Sequence, residues 1–310
     1  MRNGDSRNKK AESRMQKYSF CSFIISYQRR GRSCYIISAF CILLYYFLIS
    51  CSVLRLSEHR PIQGLVLQDS LSISYPADKV SYSVLDRTFF ILNTTENTVR
   101  IYKNGSFFNI IGGSGFGNEN FRRLADIFVG IDGSLYALDS FDRVIKRFDK
   151  DGIYVSQFQL HNVSSPERFA MTSFGAIFVY DAHNKEIYSL DPFDMSVNLS
   201  FGKFQIDKAN AFFNAGDFIN IYDNEQGETA VFLINGLFED SYRSFTFFDA
   251  FQNILSFSGN RLVVNRDDRV LFSSNGNIDY FAIERDFFIF LIDNLLNKEI
   301  RVYRGIYETR

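Results

Sequence analysis

The chain has no tryptophan, four prolines and three histidines in 310 residues, and its four cysteines all lie within the first 51. Each scarcity excludes something. The 259 residues after Cys51 have no cysteine, so they hold neither a disulfide framework nor a thiol nucleophile, and the main domain must stand on its core and sheet pairing. His59, His161 and His183 are scattered without ligand spacing, which leaves zinc chemistry without support. His183, in DAHNK, reads as an exposed turn residue. No Gly-x-Ser-x-Gly and no Ser/His/Asp grouping occurs, so no catalytic residue, metal ligand or cofactor site is assigned. Basic charge is also scarce beyond the N-terminus. Residues 1–50 take nine of the 34 basic and two of the 35 acidic residues, leaving 25 basic against 33 acidic. A phosphate-backbone binder wants the opposite sign, and nucleic acid is excluded as a partner.

What is abundant is phenylalanine, 35 residues, with 17 tyrosines. Aromatic and β-branched side chains suit a half-buried pleated surface, so the composition leans towards strand.

Residues 1–32 are basic and polar apart from Phe20–Tyr27 and end in Arg29, Arg30 and Arg32. The run Tyr35–Ile49 follows, fifteen residues without a charge. That length fits the hydrophobic region of a signal peptide better than a helix crossing about 30 Å of hydrocarbon. Leu48-Ile49-Ser50-Cys51 then resembles a bacterial lipobox, in which the cysteine is acylated and becomes the mature N-terminus; Cys51 is the expected lipidation site, and Cys21, Cys34 and Cys41 are apolar filler lost with the signal. The alternative is an uncleaved anchor, since Tyr35–Leu54 offers about 20 uncharged residues. Both place the arginines in the cytoplasm and the domain outside it. The expected organisation is a signal or anchor helix at 1–51, a tether at 52–64 and one domain at 65–310.

From Leu65 the pattern is strand throughout. Residues 111–157 read as one complete unit: a glycine-rich lead-in, then ADIFVGI, SLYAL, RVIKRF and IYVSQF, punctuated by Asp132-Gly133, Asp139–Asp142 and Asp151-Gly152. The acidic or amide residue that ends the second strand recurs as Asn93, Asp139, Asp181, Asp223, Asn265 and Asp293, at spacings of 46, 42, 42, 42 and 28. Gly133 and Gly175, Ile145 and Ile187, and Asp149 and Asp191 are also 42 apart. Units of about 40 residues with four strands each are propeller blades, and six fill the domain. The fifth reads as lacking an outer strand. The last ends after three, so Leu65–Ser74 is expected to pair with Glu299–Arg304 and close the ring.

GGSGFGNENF followed by DIFVGIDGSLYALDSFDRVIKRFDKDG resembles the NHL-repeat type of six-bladed propeller. Together with the lipobox it is similar to the six-bladed propeller lipoproteins of Bacteroidetes-type bacteria, which implies an all-β fold in the cell envelope, as an outer-membrane or surface lipoprotein, and says little about chemistry.

Gly113-Ser114-Gly115-Phe116-Gly117 looks like a fragment of a phosphate-binding loop, but strand pattern follows it where a helix is required. An inter-blade turn using positive φ accounts for it better, with Phe121 packed between blades. The unit-ending acidic and amide residues read as caps of the tight turns that follow. The sequons at Asn93, Asn104, Asn162 and Asn198 matter only in a eukaryotic secretory pathway. The sequence therefore points to a membrane-tethered binding scaffold with a protein or glycan partner. Its working face is expected at the loops after the second strands, with Asp142, Arg143, His183, Asn184, Glu225 and Gln226 as candidate contacts. The alternative is a lactonase-like, metal-dependent hydrolase or lyase working in the central channel.

Overall fold

The computed structural model describes residues 59–309. The expected signal or anchor helix, Cys51 and the first part of the tether lie outside the described residues. Among the described residues there are twenty-four strands and no helix. They form six four-stranded antiparallel sheets, each a blade. Blades 1 to 5 are continuous in sequence, at 79–112, 124–159, 166–201, 211–243 and 246–273. Blade 6 takes three strands from 277–307 and its outermost from Ile62–Ile73.

The turns form where their residues require them. In blade 2 the Asp132 carboxylate accepts the Ser134 N–H at 3.0 Å and Asp149 accepts those of Asp151 and Ile153 at 2.9 Å. Gly133 and Gly152 supply the positive φ that each turn needs. Between blades 1 and 2 the glycine-rich segment is the expected turn. A Cβ on Gly112, at φ +102, would stand 2.3 Å from the Asn97 carbonyl oxygen. Phe121, at its end, is fully buried among side chains of both blades, including Phe90 and Ile101 from one and Ile127 and Phe148 from the other. The core lies in these seams between adjacent sheets.

The ring closes by the expected pairing. Leu65 lies opposite Gly305 and Ser72 opposite Glu299 in an antiparallel ladder. The strand begins earlier than the sequence suggests, at Ile62, so the tether boundary at residue 64 moves back. Its first residues are clasped by blade 5: Asn253 accepts the Ile62 N–H at 3.1 Å and donates to the Arg60 carbonyl at 2.9 Å. Asp69, in the same strand, accepts the Tyr82 hydroxyl at 2.9 Å and Arg87 Nε at 3.1 Å, tying it also to blade 1.

Blade 5 departs from expectation. It is complete, with strands Thr246–Phe248, Ile254–Ser258, Arg261–Val264 and Arg269–Ser273. Asn265 therefore follows the third strand, not the second, and the third spacing of 42 is a coincidence. The second strands of blades 4, 5 and 6 end at Asp223, Ser258 and Asp293, 35 residues apart. The inner strand of blade 5 has three residues and is set back, so that Ala211–Ala215 of blade 4 lies directly against Asn277–Glu284 of blade 6. Phenylalanines fill the wedge: Phe281 has the rings of Phe213, Phe245, Phe247, Phe257, Phe288 and Phe290 around it, the nearest at 4.9 Å. The backbone of the short strand is satisfied by a side chain. Buried Asn220 accepts the Phe248 N–H at 2.9 Å and donates to the Phe248 carbonyl at 3.1 Å.

Up-and-down strands give the ring two ends. Turns between first and second strands, and between third and fourth, lie at one end, which we call the mouth. Turns between second and third strands, and the connections between blades, lie at the far end.

Candidate functional site

At the mouth the first-to-second-strand turns of all six blades surround one depression of about 290 Å³. Its wall is mainly apolar, with Leu85, Phe128, Ile131, Met171, Phe251 and Phe287. Ser83, Thr172, Asn214 and Glu284 add polar groups. A concave, mostly apolar site with a few convergent polar groups is the usual form of a small-molecule pocket.

Glu284, the last residue of the innermost strand of blade 6, is the group with the most unusual surroundings. Ser81 of blade 1 donates its hydroxyl to one carboxyl oxygen at 2.5 Å, and the Tyr82 N–H reaches the other at 3.3 Å. Ser81 in turn accepts the Val129 N–H of blade 2 at 3.0 Å. One carboxyl thus links three blades. Burial pushes its pKa up to about 7, against the partial relief of the Ser81 and Tyr82 bonds and the charge of Lys79. The residue still keeps part of its surface open to the bore. Deeper in, Lys79 pairs with Asp126 at 2.6 Å, and Asp126 also accepts the Phe169 N–H at 2.9 Å. Tyr280 lies near Glu284, Asp126 and Arg168; burial and then the two carboxylates raise its pKa.

The shift at Glu284 has a measurable sign. The folded protein holds this proton up to about pH 7, whereas the unfolded chain releases it near 4.5. The group's contribution to stability therefore falls as pH rises from about 4.5 through about 7, then levels off. Glu284→Gln keeps the acceptor for Ser81 and removes the loss. It is expected to be more stable than the parent by about 1–3 kcal/mol at about pH 8, with the difference vanishing near pH 4. Urea unfolding at the two pH values checks this.

The residues expected from the sequence to form the working face stand at the far end, in the second-to-third-strand turns of blades 2, 3 and 4. Four of the six are tied within the fold. Asp142 pairs with Arg122 at 3.0 Å, and Arg122 also lies over the Phe141 ring at 3.6 Å. Asn184 donates to Asp181 and to the Tyr188 hydroxyl, both at 3.0 Å. Glu225 pairs with Lys208 at 2.6 Å, and Gln226 donates to Asp207 at 3.4 Å. Arg143 and His183 are exposed, and Arg143 occupies a positive φ of 55°. The six do not converge. Asn184 and Gln226 alone meet, in a cleft of about 580 Å³ between blades 3 and 4 that Lys185, Lys203 and Phe204 also line.

The unit-ending carboxylates are turn caps, as the sequence suggests. Asp181 accepts the N–H groups of Ser164, Ser165, His183 and Asn184, between 2.7 and 3.2 Å. Asp139 accepts four in the same arrangement, from Arg122, Arg123, Phe141 and Asp142. Among the described residues no three His, Cys, Asp or Glu side chains converge as a metal-binding set.

The fold and site define a class: a closed six-bladed β-propeller with a ligand-sized depression at one end of its channel. Comparison with known proteins agrees at that level. Residues 65–186, from the closing strand into blade 3, match the family DUF5128, described as "6-bladed beta-propeller". No curated protein matches the sequence. Among solved structures, a gluconolactonase from Xanthomonas campestris is similar, with a TM-score of 0.55 and 13% identity over 81% of this chain and 97% of that one. At that identity the likeness carries the fold alone.

Proposed function

We propose that this protein is a membrane-tethered, extracytoplasmic binding propeller of the NHL-repeat-like, Bacteroidetes-lipoprotein kind, held to the cell envelope through Cys51, and that it captures a small ligand at the channel mouth. The observation that carries the binding reading is the convergence of six turns on one pocket with Glu284 linking three blades at its edge. Apolar walls and one carboxyl suit a ligand with an apolar body and a single cationic or donor head. Alkyl- and arylamines are the probes that test it. They are expected to raise the thermal midpoint, more so as pH rises past about 7 and Glu284 ionises, and to have no effect on Glu284→Gln. Equal stabilisation of the two proteins would refute the role given to Glu284.

The envelope reading rests on the arginines, the uncharged run and Cys51. Cys51→Ala is expected to abolish lipid incorporation and the cleavage that depends on it, so that the chain keeps its first 50 residues and its apparent mass rises. Unchanged lipid incorporation and mass would show that Cys51 is not the anchor.

A second reading, a metal-dependent lactonase-like hydrolase or lyase, is favoured by the likeness to the gluconolactonase. The donor set does not fit it, because Asp126 is held by Lys79 and Glu284 by Ser81. Stoichiometric calcium or zinc in purified protein would favour this reading over the binding one.

A further inference from the structure

A third cavity, of about 310 Å³, opens at the far end where blade 5 is set back, between blades 4, 5 and 6. Its chemistry differs from that of the mouth. The rings of Tyr222, Phe245 and Phe257 form a continuous stack along it, with centroids 4.6 and 5.4 Å apart and planes inclined by 18° and 28°. All three are half-buried, in contrast to Phe247 beneath them, which is fully buried. Amides stand beside them. Asn210 spends its carbonyl oxygen on the Asn224 N–H at 3.0 Å and keeps its NH₂ free, while the side chains of Asn224 and Asn260 have no hydrogen-bond partner among the described residues. Amides that act as turn caps spend their side chains on backbone, as Asn93 does on Glu96. These three do so partly or not at all, although they sit side by side at one cavity.

We propose that this cavity binds a saccharide unit. A pyranose ring has one face of C–H groups, which packs on aromatic carbon, and a rim of hydroxyls that both donate and accept. An amide side chain answers both needs, with two donors and one acceptor oxygen. Aromatic rings beside free amides therefore match a sugar in both its apolar and its polar parts. A nucleobase would need a slot between two open parallel faces, whereas a pyranose needs aromatic carbon on one side only, which the exposed parts of these half-buried rings offer. The set-back of blade 5 is what opens the cavity, so the site belongs to the irregular part of the repeat.

A printed array of neutral and acidic oligosaccharides, probed with the domain from residue 59 onward and with the full chain in detergent, tests this. The best oligosaccharide is then titrated by calorimetry. The wild type is expected to bind, with a loss of at least about tenfold in Asn224→Ala and in Asn260→Ala at unchanged thermal midpoint, and with no loss in the mouth variant Ile131→Arg. Both asparagines lie in turns or just beyond them, so the fold survives their loss. No binding to any oligosaccharide, retention of binding in both asparagine variants, or binding of adenosine in this cavity in place of sugars would each overturn the proposal. Loss in Ile131→Arg alone would assign the sugar to the mouth and overturn it equally.

Discussion

Deletion of residues 65–74 is expected to abolish the cooperative thermal transition of the domain. The segment forms most of the outer strand of blade 6 and carries most of the strand pairing between the N-terminal and C-terminal ends of the domain. It buries Leu71 and Ile73 against Ile300 and Val302 and against blade 1. Two fully buried aliphatic side chains contribute about 3–6 kcal/mol together. Asp69 adds the bonds to Tyr82 and Arg87, and removing it leaves the buried Tyr82 hydroxyl without its acceptor, at about 1–3 kcal/mol. The ladder to Lys298–Tyr307 is lost as well. Domains are stable by about 5–15 kcal/mol, so the sum takes most or all of it. The exposed strand edge would also favour aggregation. Differential scanning calorimetry of the deleted chain should show no sharp endotherm. A transition within a few degrees of the parent would mean that the ring holds without its closure.

Phe281→Ala is expected to cost about 3–5 kcal/mol, the range for deleting a buried phenylalanine ring. The site cannot collapse to fill the space. Six other rings surround Phe281, five carried by strands of blades 4, 5 and 6 and the sixth, Phe245, by the link between blades 4 and 5. For a domain of this size the fall in midpoint is on the order of 10 °C. Phe281→Leu refills most of the volume and should cost less than about half as much. Denaturant titration of both variants checks the ratio. Equal, small losses would show that the phenylalanine wedge does not brace the short blade.

The two variants probe the regular and the irregular parts of the fold, which differ in how far the sequence reveals them. Blade 2 is readable because Asp132-Gly133 and Asp151-Gly152 mark its hairpins and each run between them alternates. The closing strand is readable because the last unit runs out after three strands. Blade 5 is not. Its inner strand is three residues long, too short for a period-2 pattern, and its backbone is completed by Asn220 from the neighbouring blade. Val263-Val264-Asn265 then imitates the end of a second strand, and counting by acidic or amide residues slips by one strand.

The site is less legible for a related reason. Glu284 meets Ser81, 203 residues away, and Ser81 meets Val129, 48 residues away. No motif spans such distances. The local sequence offers only a glutamate at the inner end of an apolar strand, ahead of Arg285-Asp286. The prominent acidic turns lie at the far end, where Asp139, Asp181 and Asp223 spend their oxygens on backbone N–H groups. The residues that most plainly mark the repeat are those it needs for its own turns.

The central claim is that the channel mouth binds a small ligand with an apolar body and a cationic head. Calorimetric titration of the best amine probe into three proteins tests it directly: the parent, Ile131→Arg at the rim of the mouth, and a far-end variant combining Asp142→Ala, Asn184→Ala and Gln226→Ala. The account predicts at least about a tenfold loss for Ile131→Arg and unchanged affinity for the triple variant, a difference of about 1.4 kcal/mol or more. Loss in the triple variant with retention in Ile131→Arg would contradict it and return the site to the far end.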